Sequence, residues 1–318
     1  MQSRLAHRTL PLHNMEAVPP SPPTAPLMTP IALLLLAGTS LCWAAFDAAR
    51  KGLAERVPLV PLVFVLSALQ MPLFGAWLWM EGVPGVGAGY GWAATTSVVL
   101  NIAANLLFLR SVSLSPLSVT VPLLSLTPVF SAIIALVLMG EMPSLRQWAG
   151  ICVVVAGALV LNARTEDLRA PGALLRSMAR EPGAVLMAAV ALLWSVTSVV
   201  DKIATEAASA PLHALVQVTG MAAGVGIWLA VRREGALLGQ TLARPGLLAF
   251  SVVAAAGALG LQLLAFTQVL VSIVETTKRA VGMTSALVIG RIAFGETITP
   301  FKVVAVLAMA AGAALILL

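Results

Sequence analysis

The sequence predicts an all-α integral membrane protein whose ten transmembrane helices form two inverted five-helix repeats. Three observations predict it: an apolar composition, long uncharged runs, and an internal echo between the two halves. Of 318 residues, 59% are hydrophobic and only 10% charged, whereas soluble domains carry about 25% charged residues. Uncharged runs extend from Met28 to Phe46, Val57 to Met80, Gly82 to Leu109 and Ser111 to Gly140, then from Ala207 to Val231 and Pro245 to Val274. A hydrocarbon core of about 30 Å needs about 20 apolar helical residues, which these runs approach or exceed.

In chain order, residues 1–30 read as a disordered tail, being Pro-rich, carrying Arg4 and Arg8 and lacking apolar periodicity. Met15 and Met28 are alternative starts, and the run that begins at Met28 reads as an uncleaved first helix rather than a signal peptide. Helices are expected near 31–50, 60–80, 92–110, 117–139 and 146–162, forming a first repeat over 31–162. A charged connection follows at 163–182, with Arg164, Glu166, Asp167, Arg169, Arg176 and Arg180. The second repeat, 183–318, is expected to hold helices near 183–203, 211–231, 246–268, 272–293 and 302–318.

The echo is carried by spacing. Trp43 and Lys51 are eight residues apart in the first helix, as are Trp194 and Lys202 in the sixth. The segment Ser118 to Glu141 ends in Leu-Met-Gly-Glu before Pro143, and Ile273 to Glu296 ends in Ala-Phe-Gly-Glu before Pro300. An odd number of spans per copy inverts the second relative to the first, a plan that secondary transporters use to bind substrate near the midplane.

The net charge of +6 does not point to nucleic acid, because the basic residues lie between apolar spans rather than in one patch. Membrane lipid and a small-molecule substrate are the expected partners, and a homodimer is left open. Cys42 and Cys152 lie in apolar spans, and His7, His13 and His213 form no ligand pattern, so neither metal nor cofactor is expected. With no nucleotide-binding glycine loop either, a membrane enzyme or sensor is the weaker reading.

The layout of ten spans, the segment Pro122-Leu-Leu-Ser-Leu-Thr-Pro-Val129 leading to Gly140-Glu141, and the matching Gly295-Glu296 all recur at equivalent places. On these features the chain, over roughly residues 31–318, resembles EamA-type members of the drug/metabolite transporter superfamily. The resemblance implies a carrier, often an exporter, of amino acids and other small metabolites in a bacterial inner membrane. It also implies cytoplasmic termini. The excess of Arg and Lys in short loops argues the opposite, since Arg50, Lys51, Arg110, Arg164 and Arg232 fall on the side away from the termini.

Ionisable groups within an apolar helix cost about 2.5 to 3.5 kcal/mol on insertion scales, so they are candidates for function. Glu275 and Lys278 share a face of the ninth helix, and Arg279 lies beside them. Either a structural ion pair or a cationic site for a carboxylate or phosphate fits this trio. The equivalent first-half positions, Leu123 and Leu124, are apolar. Trp43 and Trp194 are candidates for an aromatic wall or an interfacial belt, and Asn101, Asn105 and Gln262 for hydrogen bonds to substrate or to a neighbouring helix. Asp47 is the proton-coupling candidate, while Arg50, Lys51, Asp201, Lys202 and Arg291 are expected at the interface, the basic ones by snorkelling. Pro116, Pro122 and Pro128 are expected to kink the fourth helix, and Glu141 and Glu296 to anchor loops. The sequence thus favours a carrier of a small polar metabolite, an amino acid or other organic anion or zwitterion. A flippase or an organic-cation exporter is the alternative.

Overall fold

A computed structural model describes residues 28–54, 57–115, 120–162, 181–294 and 299–317. The expected tail, the connection between the halves, Pro116, Gly295 and Glu296 therefore lie outside the described residues. Within them the protein is helical and has no strand. In chain order the helices are α1 (Pro30–Ala54), α2 (Leu59–Glu81), α3 (Tyr90–Leu114), α4 (Thr127–Met139), α5 (Leu145–Asn162), α6 (Pro182–Ala207), α7 (Ala210–Arg232), α8 (Pro245–Phe266), α9 (Val271–Phe294) and α10 (Pro300–Leu317).

By length and composition α1, α2, α3, α6, α7, α8 and α10 can each cross a membrane, and α4 and α5 are shorter apolar helices. The charges of α9 set it apart. Large apolar side chains stand exposed on almost every helix, among them Ile31, Trp79, Val137, Leu145, Val231, Ile292 and Leu307. Soluble monomers rarely present so extensive an apolar surface, and helices suit hydrocarbon because each satisfies its own backbone. The molecule is an integral membrane protein. Trp79 and Trp92 are both exposed beside the short connection between α2 and α3, where aromatic rings favour the headgroup level.

Two local departures from the sequence reading have physical causes. The fourth helix is not one kinked rod over 117–139: a 3₁₀ segment at Val121–Leu126 precedes α4. Pro122 and Pro128 supply no N–H for an α-helical ladder, and each sits at the start of its own segment. A second 3₁₀ segment, Gly235–Ala243, was not foreseen and joins α7 to α8.

The helices pack in reciprocal pairs: α1 against α8 and α3 against α6, α1 against α9 and α6 against α4, with α2 on α7, α5 on α10 and α4 on α9. The main core lies where α1, α4, α5, α8 and α9 meet, around Leu36, Ala132, Ile151, Leu263, Phe266 and Ile273. Small residues set the closest approach. At Gly150 of α5 an added Cβ would lie 2.5 Å from Ile316 Cγ1 and 2.6 Å from the Gly312 carbonyl of α10. With no hydrophobic drive between helices in lipid, such close backbone contact holds the pair together.

Gly150→Val should therefore destabilise the protein by about 1–3 kcal/mol through overpacking. Gly75→Ala, where nothing lies within 4 Å, should have no such effect; thermal unfolding in detergent reads both.

Candidate functional site

The polar residues of the apolar helices gather in two clusters. The first joins α1, α6, α8 and α9. Glu275 of α9 is buried, at 2% exposure, and its Oε1 accepts hydrogen bonds from Lys278 Nζ at 2.6 Å and Ser198 Oγ at 2.9 Å. Lys278 Nζ donates also to Gln262 Oε1 at 2.9 Å, and the same oxygen accepts from Trp43 Nε1 at 2.8 Å. The ammonium stands 5.2 Å from the centroid of the Trp43 ring, a cation–π contact. The three-residue spacing of Glu275 and Lys278 does place them on one face, and helix packing brings in the rest.

Arg279 is half-buried, and its Nε is buried with no hydrogen-bond partner among the described residues. The carboxylates whose fields reach it are Glu275 and Asp47. Asp47 is exposed and pairs with Arg50 at 3.0 Å. The Arg50 guanidinium also lies over Phe46 at 5.2 Å and over Phe108 of α3 at 5.8 Å. Phe108 in turn packs on Trp194 of α6, with ring centroids 5.8 Å apart. Trp43 and Trp194 thus both belong to aromatic contacts inside the bundle. Lys278 and Glu275 neutralise each other and Asp47 is engaged by Arg50, while Arg279 keeps a buried Nε donor unused among the described residues.

The second cluster lies between α3, α6 and α7. Asp201 and Lys202 are enclosed by the bundle, at 3% and 8% exposure, so Lys202 does not snorkel to water. The sixth helix, expected to end at 203, continues to Ala207. Asp201 accepts from Ser97 Oγ, from Gln217 Nε2 at both carboxylate oxygens, and meets His213 Nε2 at 3.0 Å. Asn101 donates to Ser97 Oγ at 3.4 Å, and Asn105 to the Asn101 carbonyl at 2.9 Å. The two asparagines therefore bond along α3 itself. Lys202 Nζ pairs with Glu141 Oε1 at 2.5 Å and donates to the Val269 carbonyl at 3.1 Å. Glu141 Oε2 accepts from the backbone N–H of Val271, at the start of α9. Its loop-anchoring role is thus visible, and Gly140, at φ +70°, makes the turn that presents it.

Of the sequence candidates, Glu275, Lys278, Gln262 and Trp43 are in direct mutual contact, with Arg279 adjacent. Asp47 and Trp194 join through Arg50 and Phe108, and Asn101 and Asn105 belong to the line that ends at Asp201. Ser198, Ser97, Asp201, His213 and Gln217 were not singled out as site residues. Their one sequence signal is that each is a polar residue well inside an apolar run. Among the described residues no group of His, Cys, Asp and Glu could hold a metal ion.

Leaving Glu141 without its cation should cost about 3–5 kcal/mol, the usual range for breaking a buried pair. Lys202→Met is the variant to unfold in detergent, and the double variant Lys202→Met/Glu141→Leu should recover most of the loss.

Residues 30–163 match the model of the EamA-like transporter family. A solved structure titled only as a crystal structure of a protein is 18% identical, with a TM-score of 0.69, covering 89% of this chain and 95% of that one. That likeness shows the fold. No curated protein matches.

Proposed function

From a chain that carries an EamA-like transporter domain over residues 30–163, we propose a secondary carrier that moves a small carboxylate-bearing metabolite, an amino acid or other organic anion, by alternating access. The observation that carries this reading is Arg279: a cation within the bundle, next to an already neutralised Lys278–Glu275 pair, with a buried N–H that no described residue accepts. A guanidinium matches a carboxylate in a bidentate way. Trp43 borders this region from α1, and Gln262 orients Lys278 against it; Trp194 of α6 is linked to it indirectly, through Phe108 and Arg50.

We take the ten helices as two inverted five-helix repeats, all crossing the bilayer. The reciprocal packing supports this: a two-fold exchange of α1–α5 with α6–α10 turns α1 on α8 into α6 on α3, and α1 on α9 into α6 on α4. Under the same exchange α2 on α7, α4 on α9 and α5 on α10 map onto themselves. Binding between the repeats and rocking of one against the other is the usual working of such carriers. The export direction rests on the family resemblance. A bacterial inner membrane suits the helical construction, since outer-membrane proteins are barrels.

The organic-cation alternative is disfavoured because the aromatic faces already hold cations, Lys278 over Trp43 and Arg50 over Phe108.

Exchange of labelled amino acids and dicarboxylates in proteoliposomes tests the reading. Arg279→Gln should lower kcat/KM by about ten- to a hundredfold, the equivalent of a charged hydrogen bond of about 1.5–3 kcal/mol. The exposed Trp79→Leu should leave it unchanged. Absence of any carboxylate exchange, or an unaffected Arg279→Gln, would overturn the proposal.

A further inference from the structure

The Asp201–His213 pair has no part in holding the substrate as proposed, yet it is the most completely buried ionisable pair among the described residues. Side-chain exposure is 0% for His213 and 5% for Asp201. An ionised carboxylate accepts hydrogen bonds and cannot donate them. Asp201 already accepts from Ser97 and Gln217, so Nε2 of His213 is the nitrogen that donates to it. That leaves Nδ1 as a basic lone pair, and Nδ1 is buried without a hydrogen-bond partner among the described residues. Its ring stands edge-to-face with that of Tyr90, centroids 6.1 Å apart, and the Tyr90 hydroxyl is likewise buried without a partner among the described residues. Buried polar atoms are nearly always satisfied, so an orphaned basic nitrogen calls for an explanation.

We infer that the buried Asp201–His213 pair is a proton-binding site through which transport is coupled to a proton gradient; this rests on the carrier reading above. A proton from water adds to Nδ1 while Nε2–H stays on Asp201. The site then passes from a buried net charge of −1 to a neutral ion pair, and the cost of enclosing it in a low-dielectric bundle falls. Histidine titrates in the range where biological gradients operate.

The link to the substrate region is covalent and short. Asp201 and Ser198 lie three residues apart on α6, hence on one face, and Ser198 is the donor to Glu275 in the Lys278 cluster. Lys202, the next residue, holds Glu141 and the start of α9. A second line runs along α3, where Ser97, Asn101 and Asn105 recur at four-residue spacing. Asp47, the sequence candidate for this role, is exposed and paired with Arg50.

The charged surroundings are few. Tyr90 comes from α3 and Asp201 from α6. Lys202 turns to Glu141 of the α4–α5 connection and toward Glu206. Of the other helices packed on α7, α8 has no titratable residue and α2 has only Glu81, bonded to Trp77.

The test uses the full chain in proteoliposomes with a mixture of the twenty labelled amino acids. Exchange at equal pH on both sides reads the carrier; accumulation under an imposed one-unit pH gradient reads the coupling, with up to about tenfold expected per proton. The wild type should do both. His213→Gln and Asp201→Asn should retain exchange and lose the gradient-driven accumulation. Accumulation by both variants equal to wild type, or exchange in the wild type without any gradient response, would overturn the inference. Absent exchange would instead strike the carrier reading. The proton site is then read on wild-type protein by nitrogen NMR of labelled histidine. A buried histidine signal moving between about pH 5 and 8 supports the site, and one that stays fixed overturns it.

Discussion

Hydrocarbon offers no hydrogen bonds, and this constraint organises the molecule. A polar side chain within a membrane-spanning helix must find its partner in its own helix or on another, and those that reach across tie particular helices together. The effect is clearest on α6. Ser195 donates to the Thr127 carbonyl of α4, Ser198 to Glu275 of α9, Asp201 is held by α3 and α7, and Lys202 by the loop after α4. One helix thus touches elements from both halves of the chain on four successive contacts. Apolar packing fills the space between these ties but has little directional preference of its own.

The constraint also separates two kinds of helix pair. Where polar ties converge, as at α6, the contacts are specific but few. Where small residues converge, as at Gly150 and Gly312, backbones approach within reach of each other's carbonyls and neighbouring Ile316, Val153 and Val154 side chains close around them. The α5–α10 pair is held by this close packing, and it also lies against α9, where Ala280 packs with Val154, Ala158 and Met309.

Much of this was legible in the sequence because its strongest signals are long and periodic. Helix ends come within a few residues of expectation, as for α5 and α7, since charged or proline-bearing loops bound uncharged runs. Lys278 and Glu275 could be paired from their spacing alone. The Asp201 cluster could not, because Ser97 of α3 lies about a hundred residues away from Asp201, and only the packing of α3 on α6 and α7 unites them. Nor does the sequence show that Asp201, near the end of α6, is enclosed by partners from α3 and α7. The 3₁₀ segment at Val121–Leu126 illustrates the converse: its prolines were plain, but whether proline bends a helix or interrupts it depends on the neighbours that receive the freed carbonyls.

At Glu141 two ties share one group. Its carboxylate holds the Lys202 ammonium with one oxygen and the first N–H of α9 with the other. Neither contact can be given up without weakening the other, because moving the loop away removes both acceptors at once. The α4–α5 connection, α6 and α9 are therefore fastened together through a single carboxylate, and losing that one group would untie all three.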